Sequence, residues 1–136
     1  MRTTQNFEFT SNPGDFAEFR GKLRALLQQA ELDEKKSGEV ILAVDEALTN
    51  IYRHAYQKQP GKIHLSFQDE EDRVEIWVRD AGKKFNPLTL PAPELPPVKP
   101  GGLGIHLIKN LMDRVEYDDG FPDGNRLGLV KYKEKP

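Results

Sequence analysis

Hydrophobic positions along this chain recur with two periods, and each change of period marks an element. Phe7 and Phe9 alternate with polar neighbours across Asn6–Thr10, which predicts a first strand with one apolar face. Ser11-Asn12-Pro13-Gly14-Asp15 is a dense turn and helix-start signal. From Asp15 to about Ala30, residues Phe16, Phe19, Leu23, Leu26 and Leu27 fall three and four apart, the spacing of an amphipathic helix. A longer helical run from Glu34 to about Gln57 carries Val40, Ile41, Val44, Leu48, Ile51 and Ala55 on one face, and stops before Gln59-Pro60-Gly61.

Period two then returns. Ile63, Leu65 and Phe67 define one strand and Val74, Ile76 and Val78 the next, with Asp69-Glu70-Glu71-Asp72 as the hairpin turn between them. Residues 86–100 hold six of the ten prolines, a density that neither a helix nor a ladder strand tolerates, so an exposed, semi-extended loop is predicted. Gly101-Gly102-Leu103-Gly104 ends that loop and opens a helix with Leu107, Ile108, Leu111 and Met112. Val115 and Tyr117 start a strand, Asp118 to Gly124 is a turn, and Leu127, Leu129, Lys131 and Tyr132 belong to the last strand. The order β-α-α-β-β-loop-α-β-β predicts an α+β sandwich with a largely antiparallel sheet.

Composition narrows the function classes. At 136 residues the chain suits a single domain, residues 1–136, with no internal repeat. A net charge of −2 and the lack of any basic run argue against direct nucleic-acid binding. Without cysteine there is no disulfide or thiolate chemistry, and His54, His64 and His106 lie too far apart in sequence for a metal motif. No apolar run approaches the roughly 20 residues of a membrane span, and the first ten residues lack an apolar signal core, so a cytoplasmic location without membrane contact is expected.

Three short motifs carry candidate chemistry. Glu46, Asn50 and His54 are spaced by four and would share a helix face, with Arg53 beside them. Glu46 and Asn50 offer hard oxygen atoms one turn apart, suited to Mg²⁺ or, for the carboxylate, to accepting a proton. A solvated polar face has the same pattern. Asp80-Ala81-Gly82 follows the third strand and sets a carboxylate where it can accept a hydrogen bond from an exocyclic amine, although a plain strand-ending turn reads the same way. Gly101-Gly102-x-Gly104 before a helix lets backbone N–H groups approach an anion, or serves as a flexible joint.

In this order, separated by a hairpin and by a lid-like loop, the three motifs resemble those of the GHKL superfamily of ATPases and kinases. EALTNIYRHAY resembles its N-box, DAGKKFNP its first glycine box and GGLGIHLIKNLMDRVEY its second, and the likeness runs from about Phe7 to Lys133. The Asn-x-x-x-His-Ala-Tyr ending, the short lid and the closing GNRLGLVKY are similar to the anti-sigma factor serine kinases. A two-component histidine kinase would carry a phosphoacceptor hairpin upstream and a gyrase-like ATPase a transducer domain, and neither is expected here.

The resemblance implies a Bergerat-type ATP-binding fold, a two-layer sandwich whose mixed, mostly antiparallel sheet is covered on one face by helices. It implies ATP and Mg²⁺ as cofactors and residues 86–100 as the lid. Glu46 would be the general base or polariser and Asn50 the Mg²⁺ ligand. Asp80 would read the adenine amine, Gly82 would give the base room, and Gly102, Leu103 and Gly104 would cradle the phosphates. The implied function is that of a protein serine kinase and anti-sigma factor, partnered by a sigma factor and a STAS-type antagonist that it phosphorylates. A nucleotide-binding interaction module without kinase activity is the alternative. Homodimers are common in the family, so a dimer is compatible with the likeness. One departure stands out: Lys83-Lys84 occupies positions where the first glycine box usually has a second glycine or small turn residue.

Overall fold

The computed structural model describes residues 3–89 and 104–134. Along the chain these form β1 (Thr3–Thr10), α1 (Pro13–Gln29), α2 (Glu34–Asn50), a π-helical turn (Ile51–Ala55), β2 (Lys62–Asp69), β3 (Arg73–Asp80), a 3₁₀ turn (Pro87–Thr89), α3 (Gly104–Leu111), β4 (Arg114–Tyr117) and β5 (Asn125–Tyr132). The sheet order is β1-β2-β3-β5-β4. Every pairing among the described residues is antiparallel, so the parallel component of a mixed sheet is absent there.

The helices start where the sequence places caps. Asn12 accepts a hydrogen bond from the Gly14 N–H with Pro13 at the first helical position, and Asp33 accepts one from the Lys36 N–H at 2.7 Å. Phe16, Phe19, Leu23 and Leu27 of α1 and Val40, Val44 and Leu48 of α2 press onto Ile63, Leu65, Ile76 and Val78 of the sheet, and Ile105 and Ile108 of α3 complete the core. Phe19 lies 5.2 Å from Phe7 and 5.0 Å from Phe9, ring centre to ring centre, so the aromatic stripe of α1 is core.

Register fixes what the strands present to the helices. Leu65 sits opposite Val78, and Val78 opposite Leu127, in one inward column. The same alternation carried two residues further brings Asp80 opposite Asn125, still on the helix side. The opposite face carries Trp77, with the Arg126 guanidinium 4.0 Å above its ring. A shallow polar depression of about 270 Å³ surrounds them.

The structure departs from the sequence reading at the end of the second helix. Regular α-helix stops at Asn50, and Tyr56 N–H bonds to the Ile51 carbonyl at 2.9 Å, closing a π turn. The wider turn changes the helical phase after Asn50, so spacing by four no longer guarantees that His54 shares a face with Glu46 and Asn50. Among the described residues, no helix is long and apolar enough to cross a membrane.

Candidate functional site

Asp80 is the centre of the site. It is 4% exposed, at the last position of β3 and on the helix side. Its Oδ1 accepts from the Gly82 N–H at 2.9 Å and from Asn125 Nδ2 at 3.0 Å. Its Oδ2 is buried with no hydrogen-bond partner. Burial pushes the carboxyl pKa up, against the pull of the Gly82 amide and Asn125. A buried acceptor left open in this way is costly, and a ligand N–H would relieve the cost.

Oδ2 belongs to a residue that lines a largely apolar pocket. Ala47, Asn50, Ile51 and Ala55 form its wall on the α2 side, Val78, Leu127, Tyr117 and Asn125 its sheet side, and Phe85 and Pro87 the side nearest the lid. The structure thus brings Asn50 and Asp80 into one cavity, and Asn50 is itself buried. Glu46 stands one turn earlier on α2, half-buried and outside the pocket lining. His54 stacks on Phe85 with ring centres 4.5 Å apart, and its Nε2 is buried without a partner. Burial, and secondarily the charge of Arg53, lower the His54 pKa.

Asn125 escaped the sequence reading, and it is the hub of the site. Its amide donates to Asp80 Oδ1 and to the Lys83 carbonyl, and accepts from the Phe85 N–H at 2.7 Å and the Tyr117 hydroxyl at 2.6 Å. Every donor and acceptor of the side chain is used, so the amide has one orientation. The available signal was its place directly opposite Asp80 once the strands are paired. Gly124 precedes it with φ +117°, where a Cβ would lie 2.0 Å from the Asp80 carbonyl oxygen; only glycine fits.

Gly82 has a requirement of its own, since a Cβ there would sit 2.5 Å from the Ala55 carbonyl oxygen. The same carbonyl accepts from the Lys83 N–H at 2.7 Å, which ties the turn after β3 to the end of the π turn. Lys83 and Lys84 are not among the residues with positive φ, so the missing second glycine brings no backbone strain. Lys84 Nζ donates to the Phe121 carbonyl in the β4–β5 turn. Of the lid, Asn86–Thr89 is described: Asn86 Oδ1 accepts from the Leu88 N–H at 2.9 Å, and Pro87 is buried. The remainder of the lid, and Gly101, Gly102 and Leu103, lie outside the described residues, and Gly104 is the first residue of α3.

This lining fits a purine nucleotide. An apolar slot with one buried, open carboxylate oxygen suits a flat base that bears an amine. The described residues contain no group of three His, Asp or Glu side chains able to hold a metal ion, so a cation at Asn50 and Glu46 would need phosphate oxygens and water to complete its shell.

Comparison with known proteins agrees with the geometry. The family model of the histidine kinase-like ATPase domain matches residues 9–131. The chain is 42% identical over 92 residues to the serine-protein kinase RsbW of Bacillus mycoides, covering 58% of this chain and 56% of that one. It is 37% identical over 106 residues to the RsbW of Halalkalibacterium halodurans, covering 71% and 63%. Against the anti-sigma F factor of Bacillus cytotoxicus the match is 30% over 140 residues, covering 97% and 94%. The chain therefore spans between about half and two thirds of the two RsbW relatives and almost all of the anti-sigma F factor.

Proposed function

This chain belongs to the histidine kinase-like ATPase domain family, in the branch of the anti-sigma factor serine kinases, and on that premise we propose that it is a cytoplasmic, ATP-dependent protein serine kinase that also binds a sigma factor. Its protein substrate in this reading is a STAS-type antagonist, whose phosphorylated and unphosphorylated forms decide whether the sigma factor is held. The observation that carries the nucleotide half is Asp80 Oδ2, buried and unpartnered on a residue that lines the same pocket as Asn50.

Each residue then has a task. Asp80 accepts the hydrogen bond of the adenine amine, and Ala47, Ile51, Val78 and Leu127 exclude water from the faces of the base. Asn50 would be the protein's ligand to Mg²⁺. Gly102, Leu103 and Gly104 are assigned to the phosphates, which backbone amides would bind. Glu46, half-buried one turn before Asn50, would take the proton of the substrate serine hydroxyl as that oxygen bonds to the γ-phosphorus, the bond from the γ-phosphorus to the bridging oxygen breaks and ADP leaves. When bound, ATP supplies the phosphoryl group and Mg²⁺ neutralises charge on its oxygens; the protein's part is positioning.

The test is phosphoryl transfer from labelled ATP to a STAS-type antagonist, with nucleotide affinity measured on the same samples. Glu46→Ala should bind ATP as the parent does and lose transfer by roughly two orders of magnitude or more. Undiminished transfer by that variant would remove Glu46 from the chemistry. Binding without transfer in the parent chain would leave a nucleotide-gated interaction module.

A further inference from the structure

Three successive amide hydrogens after β3 are all committed, and the end of the α2 segment takes two of them. Ala81 N–H donates to Tyr56 Oη at 2.8 Å, Gly82 N–H to Asp80 Oδ1 at 2.9 Å, and Lys83 N–H to the Ala55 carbonyl at 2.7 Å. The Tyr56 hydroxyl spends its own proton on the carbonyl of Lys62, the first residue of β2. With that proton used, the hydroxyl can act toward Ala81 only as acceptor. Its ring lies over Gly61, where any side chain would collide with it, so the hydroxyl is held from both ends.

The peptide joining Asp80 to Ala81 is therefore pinned on both edges. Its carbonyl oxygen faces Gly124, which leaves no space for a Cβ, and its N–H is held by Tyr56. Loosening that peptide would disturb the neighbouring Gly82 amide on Oδ1 and leave Asn125 alone to orient the carboxylate. We infer that Tyr56 is a positioning residue for Asp80: through the Ala81 peptide it keeps Oδ1 occupied and Oδ2 turned to the pocket, and so sharpens selection for a purine with an exocyclic amine. The inference rests on Asp80 as the reader of the base.

Tyr56→Phe keeps the ring over Gly61 and removes only the hydroxyl. Equilibrium titration of parent and variant with ATP, and with purine riboside triphosphate, which lacks the amine, separates positioning from mere support. The variant should bind ATP about five-fold more weakly and purine riboside triphosphate within about two-fold of the parent, so that discrimination collapses. Equal weakening of both nucleotides, or of neither, overturns the role. A parent protein that binds the two nucleotides alike overturns the Asp80 assignment itself, and does so before the variant is consulted. Amide hydrogen exchange on the parent protein gives an independent reading. The Ala81 N–H, in a loop, should exchange at least about ten-fold more slowly than a free amide, and exchange at the free rate would overturn the bond on which the inference depends.

Discussion

Asn125 holds Asp80 by one carboxylate oxygen only: its Nδ2 lies 3.0 Å from Oδ1, while Oδ2 is buried and unpartnered. The two residues face each other across β3 and β5 at the end of the inward column. The asymmetry matters chemically. With the Gly82 amide also on Oδ1, the charged carboxylate is oriented by the protein, and its second oxygen is left for a ligand.

Removing the hub should damage fold and site together. Asn125→Ala leaves the Phe85 N–H, the Tyr117 hydroxyl and the Lys83 carbonyl without the partner they have now. Stranding such groups costs about 2–4 kcal/mol in all, because water reaches some of them. Urea denaturation of the ligand-free variant should show that loss, and calorimetry should show ATP affinity falling at least ten-fold. A variant as stable as the parent would mean that the four bonds contribute nothing net.

Asp80→Asn should separate stability from binding in opposite directions. Burial raises the Asp80 pKa in the folded chain, so the folded state disfavours the charged form relative to the unfolded state. Stability is then fully present below the unfolded carboxylate pKa and is lost as pH rises through the folded one. At neutral pH the asparagine, isosteric and uncharged, should leave the ligand-free protein as stable as the parent or more so. That advantage should shrink as pH falls through the raised pKa. ATP binding should be lost, since the group facing the base becomes a donor. Thermal melts at several pH values, with and without ATP, read both effects; a variant less stable at pH 7 and equally so at pH 4 would contradict the sign.

Most of the framework was legible because periodicity reports burial directly. Phe16, Phe19, Leu23 and Leu27, and the column Val74, Ile76, Val78, are buried as their spacing requires. The same period of two, carried from Val78 to Asp80, implies a buried carboxylate, and so favours the acceptor reading of Asp80-Ala81-Gly82 over a plain strand-ending turn. What spacing could not supply was long-range. Asn125 acquires its meaning from a partner 45 positions away, and Gly82 from the Ala55 carbonyl. The π turn was hidden because Ile51 and Ala55 continue an apolar helical pattern; the competing pull is the tie between Ala55 and Lys83. Lys84 looked like a defect in a glycine box, yet its backbone carries no positive φ, and its side chain reaches Phe121.

His54 gives the protein a pH dependence of the opposite sense to Asp80. Its ring stacks on Phe85 and its Nε2 is buried without a partner, while burial and then Arg53 hold its pKa below the usual 6.5. The unfolded chain therefore takes up the proton first as pH falls. Stability from this site is present above about pH 6.5 and is lost as pH drops below it toward the folded pKa. His54→Phe keeps a ring against Phe85 and cannot titrate, so between about pH 7 and pH 5 its denaturation midpoint should lose the decline that the parent owes to His54. Arg53→Gln removes the second cause, raises the folded pKa and should make the parent's decline shallower. Phe85 lines the pocket proposed for the nucleotide, so ATP affinity should weaken over the same interval in the parent and not in His54→Phe. NMR titration of the His54 ring, run beside the melts, checks the order of events. A ring that titrates at or above 6.5 in the folded protein would defeat the account.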